Sequence, residues 1–198
     1  MPLSNSTKVY PGDPLFSRIE KPAYDTAGFL DSQVSFGLHT ATHIDAPKHF
    51  IAGGKPIDAY GLERFSCKGV LVKVVGEQVI SKEKFFTHDI NRGDAVLIHA
   101  DHTNKERFSD YFQTNPVLSK EAAEYLSGRR PSIVGIDSFS PDNPPFEAHK
   151  VLLAADVLIV ENLCNLAALE GKQFKLYVFP LKIAGAEAAP CRAVAEVF

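Results

Sequence analysis

The chain has 198 residues, of which 45% are hydrophobic and 23% charged, and its formal net charge is −3. These values are typical of one soluble globular domain, and they give no reason to expect a nucleic-acid partner or an anionic membrane partner. No apolar run approaches the length of a membrane span, and residues 1–5 lack the pattern of a secretory signal. Cys67, Cys164 and Cys191 include no C-x-x-C pair, so we expect a cytoplasmic protein without disulfides.

The first 66 residues are rich in glycine, proline and aromatic residues, which predicts turns and short strands. A tight turn is expected at residues 10–14 and a loop at residues 51–56. Three phenylalanines in this part, Phe16, Phe29 and Phe36, could serve either a subunit interface or the core, and the core is the favoured interpretation.

Residues 39–49 read His-Thr-Ala-Thr-His-Ile-Asp-Ala-Pro-Lys-His, and they hold three of the seven histidines of the chain. Imidazole and carboxylate are the ligand set of Zn²⁺, Mn²⁺ or Fe²⁺. In an extended strand, His43 and Asp45 would lie about 6.6 Å apart on one face and could hold one ion. Because the spacing of His39 and His43 suits a helical turn better, we expect the chain to bend near His39 and then run extended.

The second half of the chain predicts alternating strands and helices. Ser81 and Ser119 are expected to begin helices as N-caps, and Gly128 is expected to end the second helix. The pattern predicts an α/β fold, a mixed β-sheet with packed helices and a β-rich N-terminal part, in a single domain over residues 1–198. Strands are expected at 70–75, 94–99, 132–136, 157–160, 174–183 and 193–198, and helices at 82–87, 120–127 and 146–155.

Four later polar residues are further candidates for a site. His149 lies on the third predicted helix, and Glu161 follows four apolar residues at a strand end, where open α/β sheets place their chemistry. Position alone leaves two interpretations open for this pair: metal ligands, or a helix-capping histidine and a carboxylate in a rim salt bridge. His99 and His102 follow another strand, where a pocket wall or an exposed loop is favoured over a third metal site.

Nearly the whole chain resembles the metal-dependent cyclase-like hydrolases, the family that includes bacterial kynurenine formamidase and isatin hydrolase. Residues 39–49 match the family motif H-x-G-T-H-x-D-x-P-x-H at every polar position, with Ala41 in place of its glycine. The resemblance extends to His149, to Glu161 twelve residues later, and to segments 10–13, 93–98, 135–137, 161–163, 179–182 and 185–193. It implies a cyclase-like, swivelling β/β/α fold and a homodimer or higher oligomer.

The resemblance also implies two divalent ions per chain, Zn²⁺ or Mn²⁺, since donors without a thiolate suit both. Asp45 would bridge the two ions, and the catalytic acid/base would be His49 and not a ligand. A structural imidazole that orients another ligand is the alternative for His49. The five implied metal ligands are His39, His43 and Asp45 for the first ion, and Asp45, His149 and Glu161 for the second.

The implied reaction is hydrolysis of the C–N bond of a small formamide or cyclic amide, in which metal-activated water attacks the carbonyl group. A metal-dependent cyclase, dehydratase or isomerase, and a non-catalytic metal-binding protein, are the alternatives. Kynurenine formamidases have tryptophan where this chain has Tyr10, so Tyr10 is the expected substrate-stacking residue, and the exchange weakens the assignment to N-formylkynurenine. Alanine at position 41 costs about 1 kcal/mol if the backbone there requires a positive φ.

Overall fold

The computed structural model describes residues 1–21, 24, 28–106 and 108–198. Short 3₁₀ helices supplement the regular elements at Pro47–His49, Ile57–Ala59, Leu62–Phe65, Lys82–Phe85, Thr103–Lys105 and Leu166–Leu169. None of the described helices is long and apolar enough to cross a membrane. In chain order the strands and α-helices are β1 (Ser17–Lys21), β2 (Asp31–Ser35), β3 (His43–Asp45), β4 (Ser66–Lys73), β5 (Val79–Ile80), β6 (Ala95–His99), β7 (Val117–Leu118), α1 (Lys120–Arg129), β8 (Ile133–Ile136), α2 (Glu147–Ala154), β9 (Leu158–Glu161), β10 (Phe174–Pro180) and β11 (Ala188–Val197).

The central sheet is a closed barrel of seven strands in the order β10-β11-β3-β9-β8-β6-β4. Strands β4, β6, β8 and β9 run parallel to one another, whereas β3, β10 and β11 complete the ring through antiparallel pairs. The fold is therefore the expected mixed α/β arrangement, with its sheet closed on itself.

Two hydrophobic cores lie on the two faces of this sheet, because successive strand residues point to opposite sides. Residues Val96 and Ile98 of β6 face α1 and α2, while Leu97 between them faces the barrel interior. All residues of β6, β8 and β9 are buried, so these strands consist mostly of apolar residues. For this reason their positions could be predicted from the sequence to within one residue. In the interior, the Phe174 ring fills the space that a side chain at Gly69 would need.

The last two strands have different bounds from those predicted. Strand β10 ends at Pro180 and not at residue 183, and β11 begins at Ala188 and not at residue 193. Pro190 lies within β11 opposite His43 of β3, and a proline in a strand ordinarily argues against a central position. The prediction therefore missed the part of β11 that supports the site.

The N-terminal hairpin of β1 and β2 forms a separate two-stranded sheet, and all residues of both strands are exposed. Phe29 is 59% exposed, so the prediction that it belongs to the core is wrong. Phe16 and Phe36 are half-buried and stack on each other with ring centroids 6.3 Å apart. They close the base of the hairpin and do not enter either core.

The end of α1 also differs from the prediction. Ser119 caps the helix as expected, because its Oγ accepts a hydrogen bond of 3.2 Å from the Ala122 amide. Gly128 lies inside the helix, which continues to Arg129, and Arg130 takes the left-handed conformation with φ 56° and ψ 48°. A glycine is favoured at this position after a helix, but the chain has an arginine there.

We expect Arg130→Gly to raise the free energy of unfolding by about 0.5–1 kcal/mol, because glycine adopts a left-handed backbone without steric cost. Arg129→Gly is the matched control, and it should lower this free energy by about 1 kcal/mol because residue 129 is helical. Urea denaturation with excess chelator measures both changes without a contribution from bound metal. A loss of stability in Arg130→Gly equal to that in Arg129→Gly would contradict the assignment of the helix end.

Candidate metal centre and its pocket

Strand β3 places two of the candidate ligands in the interior of the molecule. It lies between β9 and β11, with His43 opposite Glu161 on one side and Pro190 on the other. His43 Nε2 is consequently 3.3 Å from Glu161 Oε2 and 3.4 Å from Asp45 Oδ1. The expected extended geometry at residues 43–45 is confirmed, and all three side chains are buried.

His149 and His39 approach the same carboxylates from two other elements. Helix α2 brings His149 Nε2 to 3.2 Å from Glu161 Oε1 and 3.8 Å from Asp45 Oδ2. His39 comes from the turn before β3, and its Nδ1 lies 3.0 Å from Asp45 Oδ1. The structure therefore brings together all five residues that the sequence proposed as ligands, with the two oxygens of Asp45 directed at different histidines.

The turn that joins His39 to β3 includes Ala41, which has φ 59°. This is the left-handed conformation that glycine adopts freely, so alanine there costs about 1 kcal/mol. The Ala41 carbonyl oxygen lies 2.9 Å from His43 Nδ1. The bend expected near His39 is thus present, and it also supplies the hydrogen-bond acceptor that orients His43.

The cluster fits a divalent cation because several of its buried polar atoms have no hydrogen-bond partner. Within the described part of the chain, these atoms include His43 Nε2 and both carboxylate oxygens of Asp45. An unsatisfied buried group costs about 1–3 kcal/mol, and more when it is charged. Imidazole nitrogens and carboxylate oxygens that face one another in this way are a donor set for Zn²⁺ or Mn²⁺.

Charges within the cluster stabilise one another against the cost of burial. Burial alone would lower the pKa of His43, but the carboxylates of Asp45 and Glu161 raise it well above its ordinary value. Burial alone would raise the pKa of Asp45, but His43 and His39 lower it well below its ordinary value. A cation that binds here therefore meets an ionised carboxylate and must displace imidazole protons.

His49 lies at the edge of this cluster, on the 3₁₀ helix Pro47–His49. Its ring centroid is 4.2 Å from that of His39 and 6.0 Å from that of His149. Burial, together with these neighbouring imidazoles, lowers the pKa of His49. Two groups of three side chains could each hold an ion, because the potential donor atoms inside each group lie within 4.8 Å of one another. One group is His39, Asp45 and His49, and the other is His43, Asp45 and Glu161.

Above the cluster lies a cavity of about 240 Å³, which Tyr10, His49, His149 and Glu161 help to line. Its aromatic wall consists of Tyr10, Phe112 and Phe139, with ring centroids 5.0–5.9 Å apart in pairs. Tyr10 is 43% exposed, and it lies in the cavity wall where the sequence predicts a substrate-stacking residue.

His102 packs next to this wall, where its ring stacks on that of Tyr111 with the ring centroids 4.7 Å apart. Tyr111 in turn donates a hydrogen bond of 2.9 Å to Asn162 Oδ1, beside Glu161. His99 lies apart and faces Asp137 and Glu170. His99 and His102 are both buried, at 3% and 1% exposure, and neither lines this cavity, so the expectation of a pocket wall or an exposed loop is wrong.

Sequence reasoning missed Asp142, Tyr111 and Asn162. Asp142 has a recognisable signal, a carboxylate in a proline-rich segment shortly before a helix. Tyr111 has none, because it contacts Asn162 across segments that are distant in the sequence, whereas Asn162 lies in the resembling segment 161–163 without a role being expected for it.

The chain is similar in sequence to a known family and to several known proteins. The family model Cyclase, described as "Putative cyclase", matches residues 1–143. An uncharacterized protein of Methanocaldococcus jannaschii is 35% identical over 188 residues, covering 94% of this chain and 91% of the relative. A kynurenine formamidase of Bacillus cytotoxicus is 27% identical over 198 residues, covering 98% of this chain and 93% of the enzyme.

Two solved structures share the fold. A predicted metal-dependent hydrolase from Bacillus stearothermophilus has a TM-score of 0.81 at 27% identity, covering 98% of this chain and 94% of its own. Isatin hydrolase A from Labrenzia aggregata has a TM-score of 0.88 at 24% identity, covering 98% of this chain and 90% of its own. The second likeness bears on the fold alone.

The buried His102 predicts a pH dependence of stability. Burial and then Lys105 lower the pKa of His102 to about 4, below the value of about 6.5 in an unfolded chain. The unfolded state therefore binds a proton that the folded state does not, and stability decreases as the pH falls from about 6.5 towards 4. His102→Phe keeps a ring against Tyr111, and it should reduce the stability lost between pH 7 and pH 5 by about 1–2 kcal/mol. Urea denaturation of both metal-free proteins at each pH measures the difference, and parallel pH profiles would contradict it.

Proposed function

The chain belongs to the Cyclase family, and from this premise we propose that it is a metal-dependent hydrolase that cleaves the C–N bond of a small formamide or cyclic amide. The observation that carries the proposal is the buried cluster around Asp45, whose oxygens and the facing His43 Nε2 have no hydrogen-bond partner. The kynurenine formamidase relative, which matches over almost the whole chain, supports an amide as the substrate.

We assign two divalent ions, Zn²⁺ or Mn²⁺, to this cluster. Such ions, when bound, supply Lewis-acid chemistry that polarises a scissile carbonyl and lowers the pKa of water. The division into two sites is supported by Asp45, whose Oδ1 faces His39 and His43 while its Oδ2 faces His149. The first site would consist of His39, His43 and Asp45, and the second of Asp45, His149 and Glu161.

We assign the proton transfer to His49. It would accept a proton from the attacking water as the new C–O bond forms, and donate a proton to the leaving nitrogen as the C–N bond breaks. Its position in the cavity wall beside His39 and His149 supports this role, because the imidazole reaches both the cluster and the space above it. Its grouping with His39 and Asp45 supports the competing role of a metal ligand.

The aromatic wall of Tyr10, Phe112 and Phe139 would hold the substrate. Faces and edges of aromatic rings favour a flat, apolar partner through stacking and edge contacts. Tyr10 is a smaller platform than tryptophan, so we propose a formamide or cyclic amide with an aromatic or other planar ring, without assigning N-formylkynurenine itself.

The direct test is turnover of metal-loaded protein with aryl formamides and cyclic amides, compared with the same protein after chelation. Hydrolysis that requires Zn²⁺ or Mn²⁺ is the expected result. Ring closure or loss of water from a substrate, without net hydrolysis, would favour a cyclase or dehydratase. Absence of turnover in a panel of both substrate classes with both metals would favour a non-catalytic metal-binding protein.

The roles of His49 and Asp45 are separable by substitution. We expect His49→Ala to retain its metal and to lose turnover by about 10²–10⁴-fold, the range for a general acid/base. Asp45→Ala should lose both metal and turnover, and His88→Ala, outside the cluster, should change neither. Elemental analysis of each variant beside its rate provides the measurement. Equal metal loss in His49→Ala and Asp45→Ala would place His49 among the ligands.

We further propose that the protein is a homo-oligomer, a dimer or larger. An isolated two-stranded hairpin is marginally stable in water, yet β1 and β2 are exposed throughout. The hairpin also exposes Ile19, Phe29 and Val34, each by more than half of its surface. A second copy of the chain that covers this hairpin would stabilise it.

Light scattering should therefore give at least twice the mass of one chain, and Ile19→Glu with Val34→Glu should shift the protein towards monomers. Val79→Glu is the matched control, because Val79 is 56% exposed in β5, outside the hairpin. A monomeric wild-type protein at micromolar concentration would contradict the proposal.

A further inference from the structure

Asp142 is a buried carboxylate in contact with one of the proposed metal ligands. It lies in the segment that precedes α2 and is 5% exposed. Its Oδ1 lies 2.5 Å from His149 Nδ1, while its Oδ2 accepts hydrogen bonds from the backbone amides of Ala148 (2.6 Å) and His149 (3.2 Å). One side chain therefore holds both the first turn of the helix and the imidazole that projects from it.

The loop around Asp142 fixes this carboxylate in turn. Ser140 Oγ donates a hydrogen bond of 2.8 Å to the Asp142 carbonyl and accepts one of 3.4 Å from the Asp142 amide. The His149 ring is also confined by Phe50 and Phe146, with ring centroids at 4.8 Å and 5.8 Å. The imidazole is thus held at Nδ1 and enclosed by aromatic rings, with only Nε2 directed at Asp45 and Glu161.

We propose that Asp142 is a positioning residue that commits His149 to bind the second metal ion through Nε2, an inference that rests on the proposed function. A carboxylate that accepts the Nδ1 proton leaves the Nε2 lone pair free, fixes the ring orientation and makes the imidazole a stronger donor. Asp142 itself touches neither substrate nor metal in this arrangement.

The two metal sites differ in this respect. His43 in the first site has its Nδ1 2.9 Å from the Ala41 carbonyl oxygen, a neutral acceptor. His149 in the second site has a carboxylate as acceptor, and a charged acceptor forms the stronger hydrogen bond. Loss of the Asp142 charge should therefore weaken the second site and leave the first site nearly unchanged.

Asparagine at position 142 has nearly the same shape but cannot make the same set of hydrogen bonds. If its amide oxygen accepts from the Ala148 and His149 amides, its NH₂ group meets Nδ1 and favours the proton on Nε2, the atom needed for the metal. If the amide is turned round, the oxygen accepts from Nδ1 but the NH₂ group meets two backbone N–H donors. Asp142→Asn therefore separates the charge of the side chain from its volume.

The test is a pair of measurements on full-length protein loaded with Zn²⁺. Titration against a competing chelator gives the number and affinity of bound ions, and a long-range ¹H–¹⁵N spectrum of labelled protein shows which nitrogen of His149 carries a proton. Asp13→Asn is the matched control, because Asp13 lines the same cavity but makes no hydrogen bond to His149. Circular dichroism reports whether α2 and the fold survive in each variant.

We expect wild-type protein and Asp13→Asn to bind two ions with a proton on His149 Nδ1. Asp142→Asn should keep the first ion and bind the second about 10–100-fold more weakly. Unchanged affinity for the second ion in a folded Asp142→Asn protein would overturn the inference and leave the proposed function intact. If that variant does not fold, the wild-type spectrum decides, because coordination through Nδ1 overturns the inference and a protonated Nδ1 with Nε2 coordination supports it. A wild-type protein that binds no divalent ion would overturn the proposed function as well.

Discussion

The structure depends on the neutralisation of charge around a buried carboxylate, that of Asp45. Asp45 is fully buried, and it lies within a three-residue strand that is paired on both sides. A carboxylate in this position is tolerated only when cationic groups surround it. The imidazoles of His43 and His149 do so, because, against the effect of burial, neighbouring carboxylates raise the pKa of both, while the ring of His39 lies beside them and Glu161 adds a further negative charge. The architecture can be understood as the framework that holds these opposing charges in contact.

Strand pairing sets this arrangement more strictly than the sequence spacing alone. A slip of one residue between β3 and β9 would turn every side chain of β3 to the opposite face. His43 and Asp45 would then leave the site, and Ile44, which packs in the barrel core, would replace them. The closed barrel prevents such a slip, because β3 is held by β11 on its other edge.

The sequence predicts features that depend on neighbouring residues, and it fails where distant segments decide. The alternation of His43 and Asp45 and the apolar runs of β6, β8 and β9 are local patterns, so they agree with the structure. The closure of the barrel was not predictable, because β10 pairs with β4 from far along the chain. The contact of Asp142 with His149 likewise depends on how the loop folds back, and the exposure of Phe29 on how the hairpin projects. The proximity of His149 and Glu161 to His43 and Asp45 was predicted from the family resemblance, and not from the spacing of these residues in the sequence.

The polar cluster and the aromatic wall have separate origins in the chain. Strands β3 and β9 and helix α2 carry most of the proposed ligands, whereas Tyr10, Phe112 and Phe139 come from connecting segments outside the strands and α-helices. Connecting segments tolerate change better than the buried sheet that holds the ligands. Evolution can therefore change which substrates the cavity binds while the metal ligands stay the same. A single ancestor with this architecture could give rise to descendants with many different substrate specificities.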